Sequence, residues 1–204
     1  MRHLDNTLKR MAPDEKAYVN IRALSANAIV GSMLPRGAIK GGSSLKLRFG
    51  DALTRFTTDL DSARREDLDN FIDSLEAFLG EGWCGFSGRV VPGRPANPKD
   101  VPAAYVMQPF DVKLSYLGKS WCTVTLEIGH DEIGDADNPD LIVPFEANKY
   151  LECLGFPGLG PIPCMPLEHQ IAQKIHGACE PNSRRAHDLI YLQVIVANGT
   201  VDWR

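Results

Sequence analysis

Two short clusters in this chain of 204 residues hold side chains that could do chemistry together: Gly41-Gly42-Ser43-Ser44 and, downstream, Asp59-Leu60-Asp61. A small-residue turn that opens a helix leaves backbone N–H groups without intrahelical partners, and those groups, with a serine hydroxyl beside them, attract an anion. Glycine permits the backbone angles such a turn needs. On a strand, side chains at i and i+2 share a face, so Asp59 and Asp61 point the same way with Cα atoms roughly 6.6 Å apart, and Leu60 points into the core. Two carboxylates that close repel, and without a cation between them one pKa rises. A hard divalent ion relieves this. Mg²⁺ fits, because it takes oxygen ligands from one or two carboxylates together with substrate phosphates. Gly-Gly-Ser alone also occurs in plain turns; followed at this distance by Asp-x-Asp, it points to phosphoryl chemistry on a nucleotide.

The surrounding residues must place these clusters side by side. Residues 14 to 33 read as a helix, opened by Pro13-Asp14-Glu15 and with Tyr18, Ile21, Ala28 and Ile29 spaced for one face. A short strand near 37 to 40, a helix from about 42 to 49 carrying Leu45, Leu47 and Phe49, and the Asp59-Leu60-Asp61 strand follow. Asp67 to Leu79 is an amphipathic helix ended by Gly80 and Gly82. The period then changes to two. Phe86 to Val91, Tyr105 to Leu117 and Trp121 to Ile128 read as strands, the last two joined by the hairpin signal Leu117-Gly118-Lys119-Ser120. Pro92 to Pro102 is expected as a surface loop, Gly134 to Pro139 as an acidic loop and Gly155 to Pro163 as a stiff connector, with helices near 146 to 154, 166 to 179 and 184 to 198. The fold class is α/β (α+β): a mixed sheet flanked by helices over residues 1–143, then a helical C-terminal lobe over 144–204 that completes the site.

Composition narrows the setting. No window is long and apolar enough to span a bilayer, and Met1-Arg2-His3-Leu4-Asp5 lacks the apolar run of a secretory signal, so a cytoplasmic protein without membrane contact is expected. The five cysteines are scattered without a CxxC pair, which reads as reduced thiols, and the spacing of Cys164, His169, His176 and Cys179 fits no common zinc finger. The net charge of −4 would disfavour nucleic acid if it were spread evenly. It is not: Arg36, Lys40, Lys46, Arg48, Arg55, Arg64 and Arg65 gather around the two clusters, and acidic residues gather in Asp131-Glu132 through Asp140. A local basic surface would serve a transiently bound RNA end; a solvated face is the plain alternative.

Three stretches taken together resemble a known family. Lys40-Gly41-Gly42-Ser43-Ser44-Leu45-Lys46-Leu47-Arg48-Phe49-Gly50 with Arg55-Phe56-Thr57-Thr58-Asp59-Leu60-Asp61 is similar to the first motif of the AbiEii/AbiGii-type nucleotidyltransferases, toxins of bacterial toxin–antitoxin systems that include the MenT enzymes. Pro166-Leu167-Glu168-His169-Gln170-Ile171-Ala172-Gln173-Lys174-Ile175-His176-Gly177-Ala178 resembles the family's Glu-x-x-x-Ala-x-Lys-hydrophobic helix. Arg184-Arg185-Ala186-His187-Asp188-Leu189-Ile190-Tyr191-Leu192 resembles its Arg-x-x-Arg-Asp-Leu-x-Asp-Leu helix, with Tyr191 standing where the family has its second Asp. The matches keep the family's order and span residues 40 to 192.

The resemblance implies a polymerase-beta-like nucleotidyltransferase fold and a division of labour. Gly41, Gly42, Ser43, Ser44 and Arg55 would bind the NTP, Asp59 and Asp61 would hold Mg²⁺ or Mn²⁺, Lys174 would face the phosphates, and Asp188 would sit on the rim. A third carboxylate is expected on a neighbouring strand. Glu127, an acidic residue breaking the apolar run Val124 to Ile128, is the first candidate for metal and catalysis; Asp111 competes, and an exposed edge-strand charge is the bland reading of either. Thr57, two residues before Asp59, matches a position at which some members are phosphorylated by a cognate antitoxin kinase. The implied activity is transfer of NMP, pyrimidine preferred, to a tRNA 3′ end, blocking translation until an antitoxin neutralises it. A small-molecule nucleotidyltransferase of the antibiotic-modifying kind and a catalytically inert nucleotide-binding relative are the alternatives.

Overall fold

The computed structural model describes residues 2–94, 106–131, 134, 136–180 and 185–201. Helices α1 (Arg2–Met11) and α2 (Glu15–Ser32) precede strand β1 (Gly37–Lys40), which runs without a loop into α3 (Gly41–Phe49). Then come β2 (Asp59–Arg64), α4 (Leu68–Glu81), β3 (Phe86–Pro92), β4 (Gln108–Tyr116), β5 (Lys119–His130), β6 (Asp140–Ile142), α5 (Phe145–Cys153), β7 (Ile162–Cys164), α6 (Leu167–Cys179) and α7 (Ala186–Asn198). The strands form one mixed sheet in the order β3-β4-β5-β2-β1-β7-β6. The β2–β5 and β1–β7 pairs are parallel, and the other four are antiparallel.

Alternation along the central strands gives the sheet one apolar and one polar face. Ile39, Leu60, Leu126, Phe110, Val112 and Val124 are buried on the first, against Leu24, Ala28 and Ile29 of α2 and Phe71, Leu75 and Leu79 of α4. Helix α2 is buried from Leu24 to Gly31, and at Gly31 it comes so close to β1 that a Cβ there would lie 2.6 Å from Ile39 Cδ1. Its start is capped by Asp14, whose carboxylate accepts from the Ala17 amide at 2.7 Å. Asp67 caps α4 in the same way. The β4–β5 hairpin turns at Leu117 and Gly118, both with positive φ, as a two-residue loop between right-twisted strands requires.

Three elements depart from the sequence expectation. Helix α1 was not foreseen: only Leu4 and Leu8 are apolar and buried on it, and tertiary contacts hold it, with Asp5 accepting from Tyr18 Oη at 3.2 Å and Trp121 Nε1 at 3.1 Å. Strands β6 and β7 have three residues each, too few for a period to register, so the end of the expected Gly155–Pro163 connector is in fact an interior strand. The residues after 144 are therefore not helical throughout, and they divide between two cores. Ala147, Leu151, Leu159 and Ile162 join the main one, while Leu167, Ile171, Tyr191 and Ile195 enclose Leu45 of α3 in a smaller one. The expected loop over 92–102 lies outside the described residues from 95 onward, as do the expected strand start at Tyr105, Glu132 of the acidic stretch and Arg184 at the head of the last helix.

Leu60 is wholly buried between the two aspartates of β2. Leu60→Ala should lower the unfolding free energy by about 3 kcal/mol, read as a reduced urea midpoint with an unchanged slope.

Candidate active site

The β1–α3 junction fits an anion, and Gly41 makes the junction possible. Its φ is +65°, and a Cβ there would collide with Asp61 Oδ2. Lys40, the residue before the helix, makes no side-chain cap hydrogen bond to the first amides of α3, the groups that attract an anion at a helix start. Gly42 follows, where a Cβ would lie 3.0 Å from Tyr191 Oη. The serines behave differently. Ser43 is buried and donates its hydroxyl to the Asp59 carbonyl oxygen, and Ser44 is fully buried and accepts from Gln170 Nε2 at 2.9 Å. Of the four-residue cradle expected from sequence, the glycines face the cavity. The serines tie α3 to β2 and α6.

Register assembles the carboxylates. Lys40 pairs with Asp61 across β1–β2, and Asp61 with Glu127 across β2–β5, so these three side chains form one row over the polar face. Asp59 lies in the next row, opposite Thr125, is exposed, and accepts from Thr58 Oγ1 at 3.1 Å. Asp111 is one strand farther out beyond Thr125 and is paired with Lys113 Nζ at 2.7 Å, whereas Glu127 is adjacent to Asp61. The pKa of Asp61 is raised to about 6, first by burial, then by the charge of Glu127 and more weakly by Asp59; Lys40 and Lys174 pull it down. Lys40, read in the sequence only as part of a basic surface, is thus a site residue. Its signal is a lysine ending an otherwise apolar strand just before Gly-Gly.

Helices α6 and α7 close the other side. Lys174 is 8 % exposed, its Nζ lies 3.0 Å from Asp188 Oδ1, and it stands 4.4 Å from the centroid of the Tyr191 ring. Asp188 also faces Arg185 Nε at 3.7 Å and His187 Nε2 at 3.8 Å. Gly41, Gly42, Arg55, Thr57, Asp61, Lys174, Asp188 and Tyr191 are among the residues around one polar cavity of about 210 Å³. Asp59, Glu127, Ser43 and Ser44 are not in its wall.

The basic surface drawn from sequence needs correction. Lys46 is buried and paired with Asp51, and Arg48 binds Asp140 at 2.8 Å and the Met165 carbonyl at 2.7 Å, so both are internal ties. Arg36, Arg64 and Arg65 lie at the far end of β1 and β2, where Gly37 pairs with Arg64. Among the described residues, the cations at the site are Lys40, Arg55, Lys174 and Arg185. Two of these four come from the last third of the chain, which sequence proximity to the clusters could not reveal.

A mixed sheet that sets a Gly-Gly helix start against two strand aspartates, with a lysine returned from a C-terminal helix, defines the nucleotidyltransferase class. The family model described as nucleotidyl transferase AbiEii toxin, type IV toxin–antitoxin system, matches residues 22–200. This chain belongs to that family. The fold is similar to MenT4, a nucleotidyltransferase toxin from Mycobacterium tuberculosis (TM-score 0.56, 19% identity, 93% of this chain and 62% of that one). It is also similar to a Helicobacter pylori protein classed as a nucleotidyltransferase (TM-score 0.51, 18% identity, 91% and 70%). The chain thus spans less than two thirds of the length of MenT4. The sequence matches no curated protein.

The raised pKa of Asp61 carries a pH signature. Between about pH 4 and pH 6 the native protein holds a proton that the unfolded chain has released, so stability falls as pH rises through this window. The loss is complete above about pH 6 and amounts to at most about 3 kcal/mol. Asp61→Asn, which cannot ionise, should gain stability over wild type by a margin that grows from pH 4 to pH 7 in chelator-treated buffer. Urea titrations at each pH measure it, and parallel profiles for the two proteins would refute the shift.

Proposed function

We propose that this protein transfers a nucleoside monophosphate, pyrimidine preferred, from an NTP to the 3′ end of tRNA in the cytoplasm, halting translation until a cognate antitoxin counters it. One observation carries the reading: residues as far apart in sequence as Gly41 and Tyr191 converge on a single polar cavity that pairs an anion-binding helix start with a carboxylate and a buried lysine. Family membership supplies the reaction class, and the resemblance of the three motifs supplies the tRNA acceptor and the pyrimidine preference.

In this mechanism the first amides of α3, at Gly41 and Gly42, receive the triphosphate, and Lys174 offsets the negative charge that develops during transfer. Asp188 holds Lys174 in place. The acceptor hydroxyl oxygen forms a bond to the α-phosphorus while the bond from that phosphorus to the β-bridging oxygen breaks, and pyrophosphate leaves with the electron pair. The hydroxyl proton passes to a carboxylate among Asp59, Asp61 and Glu127. These are hard oxygen donors on one sheet face, and the charges of Glu127 and Asp59 raise the pKa of Asp61, so the set fits a divalent cation. Among the described residues no three His, Cys, Asp or Glu side chains are gathered as a metal site. Mg²⁺ or Mn²⁺, held by Asp59 and Asp61 with Glu127 as third carboxylate, would neutralise the triphosphate and its leaving group. Arg55 and Arg185, exposed near the cavity, would meet the RNA end. Thr57 lies on the cavity wall with its Oγ1 3.4 Å from the Asp59 carbonyl oxygen. A phosphate placed there by an antitoxin kinase would repel both nucleotide and acceptor.

Incubation with tRNA and each labelled NTP in Mg²⁺ or Mn²⁺ tests the proposal. Label should enter tRNA with wild-type protein, vanish with Asp59→Ala or Asp61→Ala, and fall about 100- to 1000-fold with Lys174→Ala. Absence of incorporation by the wild type, or undiminished incorporation by a folded Asp59→Ala protein, rejects it.

A further inference from the structure

Helix α7 places an aromatic ring where the motif it resembles has a second carboxylate, and that ring lies beside Lys174, His187 and the start of α3 in the cavity wall. Tyr191 is 5 % exposed and packs with Leu45, Ile171 and Ile195 in the smaller core. Its ring face lies under the Lys174 ammonium, 4.4 Å from the centroid. Its phenol oxygen lies over the first turn of α3, 3.0 Å from where a Gly42 Cβ would stand, and accepts a hydrogen bond from the Arg55 backbone N–H. The His187 ring meets it edge-on at 6.5 Å.

We propose that Tyr191 is a positioning residue for the triphosphate: its ring aims Lys174 at the start of α3, and its phenol holds that start and the Arg55 segment at one spacing. The inference rests on the nucleotidyltransferase reading. A lysine on four methylenes needs more than one restraint to stay put, and the Asp188 carboxylate at 3.0 Å supplies only the first. The ring face supplies the second without adding charge. Charge is what separates phenol from carboxylate here. A carboxylate at this position would bring a further negative charge to Lys174, to the amides of α3 and to Asp61, competing with phosphate for the first two and repelling it through the third. The phenol keeps its proton, all the more because burial raises its pKa, so it adds no negative charge beside Lys174 to those of Asp188 and Asp61.

Tyr191→Phe, which keeps the ring, and Tyr191→Leu, which removes it, separate the two parts of this role in the full-length protein. Calorimetry with α,β-methylene-CTP and α,β-methylene-ATP, steady-state NTP kinetics and thermal melting are measured on each. Tyr191→Phe should weaken analogue binding and raise KM for NTP about fivefold, with kcat within about twofold and an unchanged melting temperature. Tyr191→Leu should weaken binding about twentyfold or more, because Lys174 loses its second restraint. Wild-type analogue affinity in both variants overturns the inference, as do losses in kcat alone or losses that merely follow a falling melting temperature. A wild-type protein that binds the analogues but transfers no NMP overturns the transferase reading and leaves Tyr191 to be judged on binding; one that binds neither analogue overturns both.

Discussion

The contact between the Gly41 backbone and the Asp61 carboxylate is the constraint on which the remaining geometry depends. Strand β1 passes into α3 at a residue with φ +65°, and the side of that residue facing β2 is filled by Asp61. With no Cβ at position 41, the antiparallel pairing of Lys40 with Asp61 and the helix start can exist within one residue of each other. The first amides of α3 are thereby brought against the carboxylates. Ser43 reinforces the junction by donating to the carbonyl of Asp59, so the first turn of α3 and the first residue of β2 move as one piece.

Charge is distributed to suit that closeness. Asp61 is partly buried beside two other carboxylates, and Lys40 and Lys174 offset only part of the repulsion, which leaves its pKa near 6. A site already neutralised by fixed cations would offer little to a metal–nucleotide complex. On the opposite wall Lys174 and Asp188 are buried as a pair. Taking both charges out of water costs several kcal/mol per ion, so the pair contributes little net stability, and removing either partner would strand the other. Such a pair is better explained as a device that holds an ammonium at a chosen point than as a source of stability.

Much of this arrangement was legible in residue types. The i, i+2 spacing of Asp59 and Asp61 with an apolar Leu60 determines which side chains share a face, and the sheet bears this out; the apolar periodicity of α4 and the Leu117-Gly118 turn read equally directly. Other features were illegible for physical reasons. Ser43 and Ser44 look like phosphate ligands because hydroxyls serve both anions and backbone carbonyls, and only the packing of α3 against β2 and α6 separates the uses. The seven basic residues near the clusters looked like one surface because linear proximity hides strand direction: four residues of β1 carry Arg36 to the opposite end of the sheet from Asp59. Strands of three residues such as β7 carry no period at all and are fixed by their neighbours.

The two cores explain why the site needs both ends of the chain. The main core sets the sheet, and with it the row of Lys40, Asp61 and Glu127, through residues mostly between Leu4 and Leu126. Lys174 and Asp188 instead belong to α6 and α7, whose apolar residues pack on Leu45, and Leu45 sits on α3 itself. The helix that presents its first amides to the cavity is therefore also the helix on which the lysine-bearing pair rests. Helix α6 also follows strand β7 closely in the chain, so the lysine-bearing pair is tied to α3 through Leu45 and to the sheet through β7. The lysine, the helix start and the carboxylate row are therefore placed by one connected set of contacts rather than by separate supports.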